Sequence, residues 1–569
     1  MSISRPTPLS RPKRLARLAA CTALALSAGT LGASPALAAD KPSAPAGAAQ
    51  PTLNLPKPAK STYATVPAKS RMDYDRDGIP DLVFRGITGW TSAFMSTNDD
   101  ASEFNLHNDQ VETVKDVIPV GNVRGTSAPE LLTLSFDGRL SLHPTTKAGA
   151  GAPLWSGYGW QIYNRVIAAG DLTKDGRMDV LARTPGGSLY LYKGNGTTSG
   201  NPFGARIHVG TGWGAYDQLV GTNDLDRDGI GDLLARTTAG DLWFYKGTGS
   251  SSTPFRARVK VGPGWGSYNQ IAAVDDISGD GRADIIARTY AGRIYLYLST
   301  GSGKFSARQD AGSGWEDTEF FLGAGTTANY GKHSLLARGN DGKIYQYVTK
   351  ADGKFFPKDE TSFQIPSAKL AGATGLDVVN WVSPLEITVG GLYVHRGTGS
   401  QLAAGLPGNA VNITGPGDLT GDGRGDLLNV TSTGYLDLYA GDGTGKAYKA
   451  AVRVGSGWGT YNKLVGGGDF TGDGRPDLIA RSGGTLYLYP GTGNASAPFG
   501  SRVTVGTGWS AYNQIASPGD LTGDGRADLV ARDAGGNLYR YMATGKTGTS
   551  TFGARVLLGS GWNTFEGLY

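Results

Sequence analysis

Nine-residue acidic segments recur along the chain, and their carboxylates could bind a cation. Each follows the pattern D-x-[DTS]-x-D-G-x-x-D, with oxygen ligands at positions 1, 3, 5 and 9 and a glycine at position 6 that permits a sharp turn. Three or four carboxylates within nine residues repel one another, and no Lys or Arg is placed consistently to neutralise them. Oxygen ligands without His or Cys favour Ca²⁺ over Zn²⁺ or copper. The pattern therefore predicts about seven calcium sites.

The expected ligands occupy those four positions in each of the seven acidic loops. They are Asp73, Asp75, Asp77, Asp81, Asp171, Thr173, Asp175, Asp179, Asp224, Asp226, Asp228, Asp232, Asp276, Ser278, Asp280, Asp284, Asp418, Thr420, Asp422, Asp426, Asp469, Thr471, Asp473, Asp477, Asp520, Thr522, Asp524 and Asp528. An EF-hand would need a glutamate at position 12, where the Asp276 loop has Ala287. We expect the bound ions to stabilise the fold rather than to take part in a reaction.

A second recurring feature could bind a sugar. An aromatic pair follows G-x-G with two residues between its members, and an Asn often comes next. A sugar ring has C–H groups on one face and hydroxyls around its rim, which suits an aromatic platform beside amide side chains. The expected ligand-binding residues are Trp213, Tyr216, Trp265, Tyr268, Asn269, Trp458, Tyr461, Trp509, Tyr512 and Asn513. The alternative, that these aromatic residues pack between sheets, stays open.

Catalytic motifs are not evident in the sequence. The five histidines, which fall at unrelated positions of the repeat, are His107, His143, His208, His333 and His395. None lies in a nucleophile-elbow or zinc-protease pattern. Because the clustered carboxylates are expected to bind metal, they are not free for glycoside hydrolysis. We expect a binding protein and not an enzyme.

The segments that must position these residues form a repeat of about 50 residues. Intact copies begin at Asp73, Asp171, Asp224, Asp276, Asp418, Asp469 and Asp520, and weaker copies lie at Asn122, at Thr326 and between Gly372 and Gly397. Each copy contains four short apolar and aromatic segments separated by turns, which indicates a four-stranded antiparallel sheet. The sequence therefore predicts an all-β protein of the β-propeller class.

Ten blades exceed the roughly 4 to 8 that are typical of one propeller. We therefore predict two tandem five-bladed propellers, over residues 69–318 and 319–569. One seven-bladed propeller with extra blades is the alternative. In the five-plus-five division the second copy of each half, at Asn122 and at Gly372 to Gly397, is degenerate. These two copies could form a partner site.

The N-terminal residues 1–38 have the pattern of a secretory signal peptide. Five basic residues precede an apolar stretch that ends in Ala36-Leu37-Ala38. Residues 39–68 are a linker rich in Pro and Ala, and residues 39–60 should be an extended, disordered spacer. Removing the leader leaves 49 Lys and Arg against 49 Asp and Glu, so no basic surplus remains for nucleic acid. We expect a secreted, extracellular protein without a thiol or a transmembrane segment.

The acidic loops carry a resemblance to a known family. The seven loops, each followed by two aliphatic residues, resemble the calcium-binding FG-GAP or VCBS repeats of integrin-type propellers and secreted bacterial proteins. The short period and the G-x-G-W-x-x-[YF] segments are similar to five-bladed tachylectin-type lectins. The resemblance implies a calcium-stabilised module that binds cell-surface or cell-wall glycan. It also allows an accessory subunit that binds a protein partner, as in secreted umbrella-type toxin particles.

Two copies depart from the family pattern. The Asn122 loop has Arg124 at position 3, and the Thr326 loop has no carboxylate. We expect both loops to be free of metal.

Overall fold

The computed structural model describes residues 51–56, 69–87, 89–95, 100–107, 114–126, 128–325, 334–365, 370–373, 383–388, 391–396, 399–402 and 412–569. These residues form short β-strands and single-turn 3₁₀ helices. No helix in this part of the chain is long and apolar enough to cross a membrane. The predicted signal peptide and the Thr326 loop lie outside the described residues.

Twenty-four strands precede residue 325, and we call them the first group. They are β1 Leu82–Gly86, β2 Thr91–Phe94, β3 Ser102–Glu103, β4 Asn105–Leu106, β5 Val114–Gly121, β6 Glu130–Ser135, β7 Leu140–Thr146, β8 Gly149–Ala150, β9 Trp155–Gly157, β10 Arg165–Gly170, β11 Asp179–Arg183, β12 Leu189–Tyr192, β13 Ile207–Gly210, β14 Tyr216–Asn223, β15 Asp232–Thr237, β16 Leu242–Tyr245, β17 Val259–Gly262, β18 Tyr268–Ala273, β19 Ile285–Thr289, β20 Ile294–Tyr297, β21 Ser299–Gly301, β22 Lys304–Phe305, β23 Gln309–Gly312 and β24 Thr318–Phe321.

Twenty further strands follow, and we call them the second group. They are β25 Ser334–Gly339, β26 Lys343–Val348, β27 Asp359–Gln364, β28 Leu370–Ala373, β29 Ser383–Thr388, β30 Gly391–Arg396, β31 Gly399–Leu402, β32 Asn412–Gly417, β33 Asp426–Val430, β34 Leu436–Tyr439, β35 Val452–Gly455, β36 Lys463–Gly468, β37 Asp477–Ser482, β38 Thr485–Tyr489, β39 Val503–Gly506, β40 Tyr512–Gly519, β41 Asp528–Asp533, β42 Leu538–Tyr541, β43 Val556–Gly559 and β44 Phe565–Leu568.

The 3₁₀ helices mark the start of most repeats. Six begin at a tryptophan, and these are Trp160–Ile162, Trp213–Ala215, Trp265–Ser267, Trp458–Thr460, Trp509–Ala511 and Trp562–Thr564; a seventh is Gly548–Ser550. The glycine before each tryptophan has a φ between 81° and 99°. A side chain would be strained in this left-handed conformation, which explains the glycine of the G-W pair.

The strands form antiparallel four-stranded sheets, as expected of propeller blades. In a typical repeat the order is β14-β15-β16-β17, and nine described sheets have four strands. A tenth, around β5 to β9, has six. Even the degenerate copy near Gly372 keeps a sheet of the order β28-β29-β30-β31. The all-β propeller fold predicted from the sequence is confirmed.

Each group is closed by its last strand. β24 pairs with β1 at the start of the first group, and β44 pairs with β25 at the start of the second. Closure of this kind removes the exposed sheet edges that invite aggregation. Two rings of five require this pairing, and the blade count of each ring stays a prediction. The predicted boundary between residues 318 and 319 falls inside β24, which completes the first group.

The hydrophobic core lies between neighbouring sheets. In one such layer Leu181 and Leu191 of one sheet pack with Trp213, Leu219 and Leu233 of the next, and all five are buried. Since every sheet contacts a sheet on each side, the aliphatic residues of both faces are needed for the core. The solid apolar runs of the second strand in each repeat follow from this arrangement.

A buried arginine at the end of the second strand of a repeat joins neighbouring sheets. The Nη1 of Arg183 donates to the carbonyl oxygens of Trp213 at 3.0 Å and Tyr216 at 2.6 Å. Equivalent bonds run from Arg236 to Trp265 and Tyr268, from Arg288 to Trp315 and Thr318, from Arg481 to Trp509 and Tyr512, and from Arg532 to Trp562 and Phe565. We call these five side chains the arginine clamps. Burial lowers the pKa of Arg183 to about 10, so its guanidinium stays charged at neutral pH.

The two groups contact each other through the acidic loops of the second group. The Nδ2 of Asn164 donates to the Asp473 carbonyl oxygen at 2.6 Å, and the Nδ2 of Asn269 donates to the Thr522 carbonyl oxygen at 3.0 Å. Arg526 lies 3.5 Å from the Asp217 carboxylate. The residues that follow the aromatic pairs of the first group thus hold loops of the second.

Part of the predicted spacer is ordered, which corrects the expectation of a disordered segment over residues 39–60. The amides of Thr52 and Asn54 donate to the carbonyl oxygens of Ser313 and Ala311, both at 2.9 Å. Leu53 packs against the adjacent core. Polar and apolar residues alternate in Thr52-Leu53-Asn54-Leu55, which allows this pairing. The high Pro and Ala content of the flanking residues led instead to the prediction of a disordered segment.

We expect loss of a clamp to destabilise the protein. Replacing Arg183 with Leu leaves the buried carbonyl oxygens of Trp213 and Tyr216 without this donor, which should lower the free energy of unfolding by about 2 to 5 kcal/mol. The exposed Arg256 provides a matched control, for which Arg256→Leu should change the free energy by at most about 0.5 kcal/mol. Urea denaturation of both variants measures the difference. Equal stabilities would contradict a structural role for the clamp.

Candidate functional site

Six of the seven acidic loops follow the first strand of their repeat, and all seven are organised by their position-1 carboxylates. In all seven loops this carboxylate accepts the backbone N–H of the position-6 glycine at 2.6 to 3.2 Å. The same glycines have φ values of 79° to 90°, which explains the requirement for glycine. The sequence pattern thus corresponds to one repeated backbone turn.

The position-9 aspartate ties each turn to the sheet. Asp232, for example, accepts the N–H of Leu225 at 3.0 Å through one oxygen and that of Gly247 at 2.8 Å through the other. The second bond joins the loop to the end of the third strand, and Asp179, Asp284, Asp426, Asp477 and Asp528 make the same one. Position 9 therefore has a structural task, whether or not its remaining lone pairs contact an ion.

Burial raises the pKa of the loop carboxylates. The pKa of Asp179 and of Asp284 is raised to about 7, and that of Asp418 to about 6, with loss of hydration as the largest cause. A divalent cation would favour the ionised form of such groups. The loops are therefore suited to hold a cation, although part of their charge is already balanced by the protein.

Basic side chains do reach these loops, which corrects the expectation that none is consistently placed. Arginine at position 7 folds back onto the position-5 carboxylate, as in Arg282 with Asp280 at 2.9 Å. Lys246 contacts both Asp226 and Asp228. The sequence does not reveal this contact, because Lys246 lies 20 residues beyond Asp226, just after the third strand of the repeat.

The seven loops fall into two classes by their third and seventh positions. Five have Ser or Thr at position 3 and Arg at position 7. In four of these five the hydroxyl donates to the position-1 carboxylate, as in Thr471 to Asp469 at 3.1 Å. The Asp73 and Asp224 loops instead have Asp at position 3 and Ile at position 7. These two loops therefore have one more carboxylate than the other five, and they lack the arginine at position 7.

Three-carboxylate clusters occur, among the described residues, in these same two loops. One comprises Asp73, Asp75 and Asp81, and the other comprises Asp224, Asp226 and Asp228, with candidate ligand oxygens within 4.8 Å of one another. The Oδ1 atoms of Asp73 and Asp226 are buried and accept no hydrogen bond. Both loops offer a divalent cation more carboxylate oxygens than the other five, but at the Asp224 loop the ion would have to displace Lys246 from Asp226 and Asp228. Occupancy at all seven loops stays a prediction.

The degenerate Asn122 loop contains a cation of its own. The Arg124 guanidinium forms an ion pair with Glu130, the position-9 residue, at 2.5 Å. The positively charged Arg124 thus lies where the other loops have clustered carboxylates.

The predicted sugar-binding aromatics line grooves between sheets, with most of each ring in the core. Trp213, Trp265, Trp458 and Trp509 are 7 to 8% exposed. Each indole packs against a tyrosine at the end of the third strand, with ring centroids 4.7 to 4.8 Å apart. The packing interpretation therefore accounts for most of each ring, and only an edge remains for a ligand.

The groove at Trp509 is open to solvent and has a volume of about 340 Å³, and we call this space the Trp509 cavity. It lies between the turn Gly506–Gly508 and a wall that includes Tyr541, Phe552 and Arg555. The Tyr512 and Tyr541 hydroxyls are hydrogen-bonded at 2.5 Å, and Arg555 donates to the Tyr512 hydroxyl at 3.1 Å. Burial and this hydroxyl pair raise the pKa of Tyr541. The cavity has the volume of a small-ligand site, and polar and apolar groups line it in similar measure.

The same set of residue types recurs at five grooves. Each consists of Trp, two Tyr, Phe and Arg, and the five sets are Trp160, Tyr163, Tyr192, Phe203 and Arg206; Trp213, Tyr216, Tyr245, Phe255 and Arg258; Trp265, Tyr268, Tyr297, Phe305 and Arg308; Trp458, Tyr461, Tyr489, Phe499 and Arg502; and Trp509, Tyr512, Tyr541, Phe552 and Arg555. Sequence reasoning missed the second Tyr, the Phe and the Arg. The recurring F-x-[AS]-R before the fourth strand is the signal that could have revealed them.

Asn269 does not belong to a groove, which corrects its assignment as a ligand-binding residue. Its side chain is 1% exposed, accepts a hydrogen bond from Arg288 at 3.0 Å and donates to Thr522 of the second group. The equivalent Asn513 is exposed and accepts a bond from Arg532 at 3.0 Å. The two asparagines share a motif and a clamp partner, yet only the first contacts the other group.

This difference predicts unequal effects of the same substitution. Asn269→Ala should lower the free energy of unfolding by about 1 to 3 kcal/mol, because buried partners lose their hydrogen bonds. Asn513→Ala should lower it by less than about 1 kcal/mol, because water can replace the lost group. Thermal and urea unfolding compare the two variants. A larger loss from Asn513→Ala would argue against the contact between groups.

Comparison with known proteins identifies the repeat. Four segments, residues 171–235, 224–287, 418–480 and 469–531, match the FG-GAP-like repeat. No curated protein matches this chain. The solved structures similar to it include the BP39L lectin from Burkholderia pseudomallei, with 11% identity, 79% of this chain and 100% of the lectin covered, and a TM-score of 0.25.

PorZ, a surface component of the type-IX secretion system of Porphyromonas gingivalis, is similar over 87% of this chain and 59% of its own, with 13% identity and a TM-score of 0.21. No inference about function follows from likenesses at these TM-scores. The matched segments include the Asp171, Asp224, Asp418 and Asp469 loops, together with the strands around them. The chain thus carries FG-GAP-like repeats in an all-β propeller fold.

Proposed function

We propose that this protein is a secreted, calcium-stabilised propeller that binds glycans in the grooves between its sheets. The observation that carries the proposal is the recurrence of one Trp, two Tyr, one Phe and one Arg at five grooves, one of which is an open cleft of about 340 Å³. An indole edge and phenol hydroxyls suit the C–H face and the hydroxyl rim of a sugar. The predicted leader places this binding outside the cell, on cell-surface or cell-wall glycan.

A groove-filling variant tests glycan binding without removing core packing. Thr507 is exposed and lines the Trp509 cavity, so Thr507→Trp should fill that cavity and abolish binding there. Thr504→Trp is the matched control, because Thr504 is exposed on the neighbouring strand and does not line the cavity. A glycan array first identifies a ligand, and calorimetry then counts its sites.

We expect Thr507→Trp to bind one equivalent fewer than the wild type, and Thr504→Trp to bind as many. No glycan binding by the wild type, or equal stoichiometry in the two variants, would refute binding in this groove.

Calcium, in this proposal, stabilises the fold chiefly at the Asp73 and Asp224 loops. Their clustered carboxylates and buried oxygens without hydrogen bonds support this assignment. Oxygen donors of this kind suit Ca²⁺. At the Asp73 loop the bound ion would supply positive charge between carboxylates that otherwise repel each other, and at the Asp224 loop it would take the place of the Lys246 ammonium. The ion has no part in a reaction.

Metal removal tests the assignment. Calcium binds the folded state, so it should raise the melting temperature of the chelator-treated protein by several degrees. The double variant Asp75→Asn and Asp226→Asn should lose most of this increase. The control Asp241→Asn, which lies outside the loops, should keep it. An unchanged calcium response in the double variant would assign the stabilising ions to other loops.

Peptide binding is the second candidate function, and the ordered residues 51–56 favour it. They extend the sheet edge at β23, and the Thr52 carbonyl oxygen accepts a hydrogen bond from the Trp315 Nε1 at 3.0 Å. The sheet edge at β23 and the turn before Trp315 thus already hold an extended segment, as in strand addition. This mode would suit a protein partner of an accessory subunit.

Binding of a synthetic peptide with the sequence of residues 49–58 tests this second candidate function. We expect fluorescence anisotropy to detect its binding and Thr507→Trp to weaken it, while a scrambled peptide of the same composition does not bind. Equal signals from both peptides would exclude recognition of an extended strand.

A further inference from the structure

An exposed arginine occupies the same place in each of the five grooves. Its guanidinium donates to the hydroxyl of the first tyrosine, as in Arg308 to Tyr268 and Arg502 to Tyr461, both at 2.8 Å. It also lies over a second aromatic ring, 4.2 to 4.7 Å from the centroid, in Arg206, Arg258, Arg308, Arg502 and Arg555. These two contacts hold the guanidinium at the mouth of the groove and leave other N–H groups toward solvent.

None of these five guanidiniums forms an ion pair within the described residues. Elsewhere exposed arginines do have carboxylate partners, as in Arg453 with Asp437 at 2.8 Å and Arg293 with Asp310 at 2.5 Å. In the Trp509 cavity, Arg555 is the one charged residue among those that line it. A fixed, unneutralised cation therefore lies beside an apolar wall at five equivalent places.

A fixed arginine beside aromatic side chains suits a sugar that carries a negative charge. An arginine held in one orientation can donate two parallel hydrogen bonds to a carboxylate, and these charge-assisted bonds are stronger than those to a hydroxyl. The indole edge and the phenols remain for the ring itself. A neutral sugar would use the aromatic wall but leave the cation without a partner.

We propose that the five grooves select sugar residues that carry a carboxylate, such as uronic or sialic acids. This inference rests on the proposed function, because it names the ligand class of the same grooves. The arginine is a specificity residue for the ligand, and the aromatic residues supply binding that does not depend on charge.

Paired probes in which a methyl ester replaces the carboxylate, and so removes its charge, test this selectivity. Trigalacturonic acid and its methyl ester form one pair, and N-acetylneuraminic acid and its methyl ester form the other. Calorimetry in calcium and low salt should give at least tenfold tighter binding for the acid of one pair or both. Binding of the acid should weaken as salt is added, since the interaction is screened.

The arginine variants assign the effect to the grooves. In the variant with Gln at residues 206, 258, 308, 502 and 555, the preference for the acid should disappear, whereas five Lys substitutions should retain part of it. Because all five side chains are exposed, the melting temperature should stay close to that of the wild type. The single variant Arg555→Gln, with one selective site fewer, provides a check that perturbs the protein less.

Two results would overturn the inference while leaving glycan binding intact. One is equal affinity for acid and ester, or binding of array glycans with no acid among them. The other is an acid preference that survives all five Gln substitutions, which would place the selecting cation elsewhere. If no glycan of any kind binds, the proposed function and this inference fail together.

Discussion

The clamp between repeats is the interaction on which the rest of the structure depends. A buried arginine at the end of the second strand donates to the carbonyl oxygens of the turn that opens the next repeat, as Arg183 does for Trp213 and Tyr216. This bond fixes the distance between adjacent sheets and the orientation of the tryptophan. Because the chain closes through β24 and β44, every clamp acts within a closed group of sheets.

Two kinds of candidate site follow from this arrangement, and they lie at opposite ends of the first strand. The grooves form where this strand begins, beside a tryptophan that is clamped in three of the five cases, whereas the acidic loops form where it ends. For the eight residues of β14 the separation is about 26 Å. Ion binding and ligand binding can therefore differ between repeats without affecting each other directly.

The first group also uses Asn164 and Asn269 to hold the second group, so the equivalent surface of the second group stays exposed.

Much of the fold was predictable because its signals are local. The acidic loops, the glycines with positive φ and the apolar strands recur within each copy, so the propeller followed from the sequence. The clamps did not, since Arg183 and Trp213 are 30 residues apart and nothing in A-R indicates a partner. The grooves were half predicted for the same reason. Trp509 and Tyr512 are three residues apart in sequence, but Tyr541 and Arg555 join them only through sheet packing. Asn269 and Asn513 share one motif, and only the contact between groups distinguishes them.

The central claim is that the tryptophan turns that open the repeats, three of which are clamped at Trp213, Trp265 and Trp509, form ligand grooves between sheets. The most direct measurement is a crystal structure of the protein soaked with an acidic oligosaccharide in calcium. The account predicts sugar density against the Trp509 edge, between the turn at Thr507 and Tyr541, with a carboxylate on Arg555. Sugar density at the acidic loops or at the exposed end that carries Asn462 and Asn513, with this groove unchanged, would contradict it.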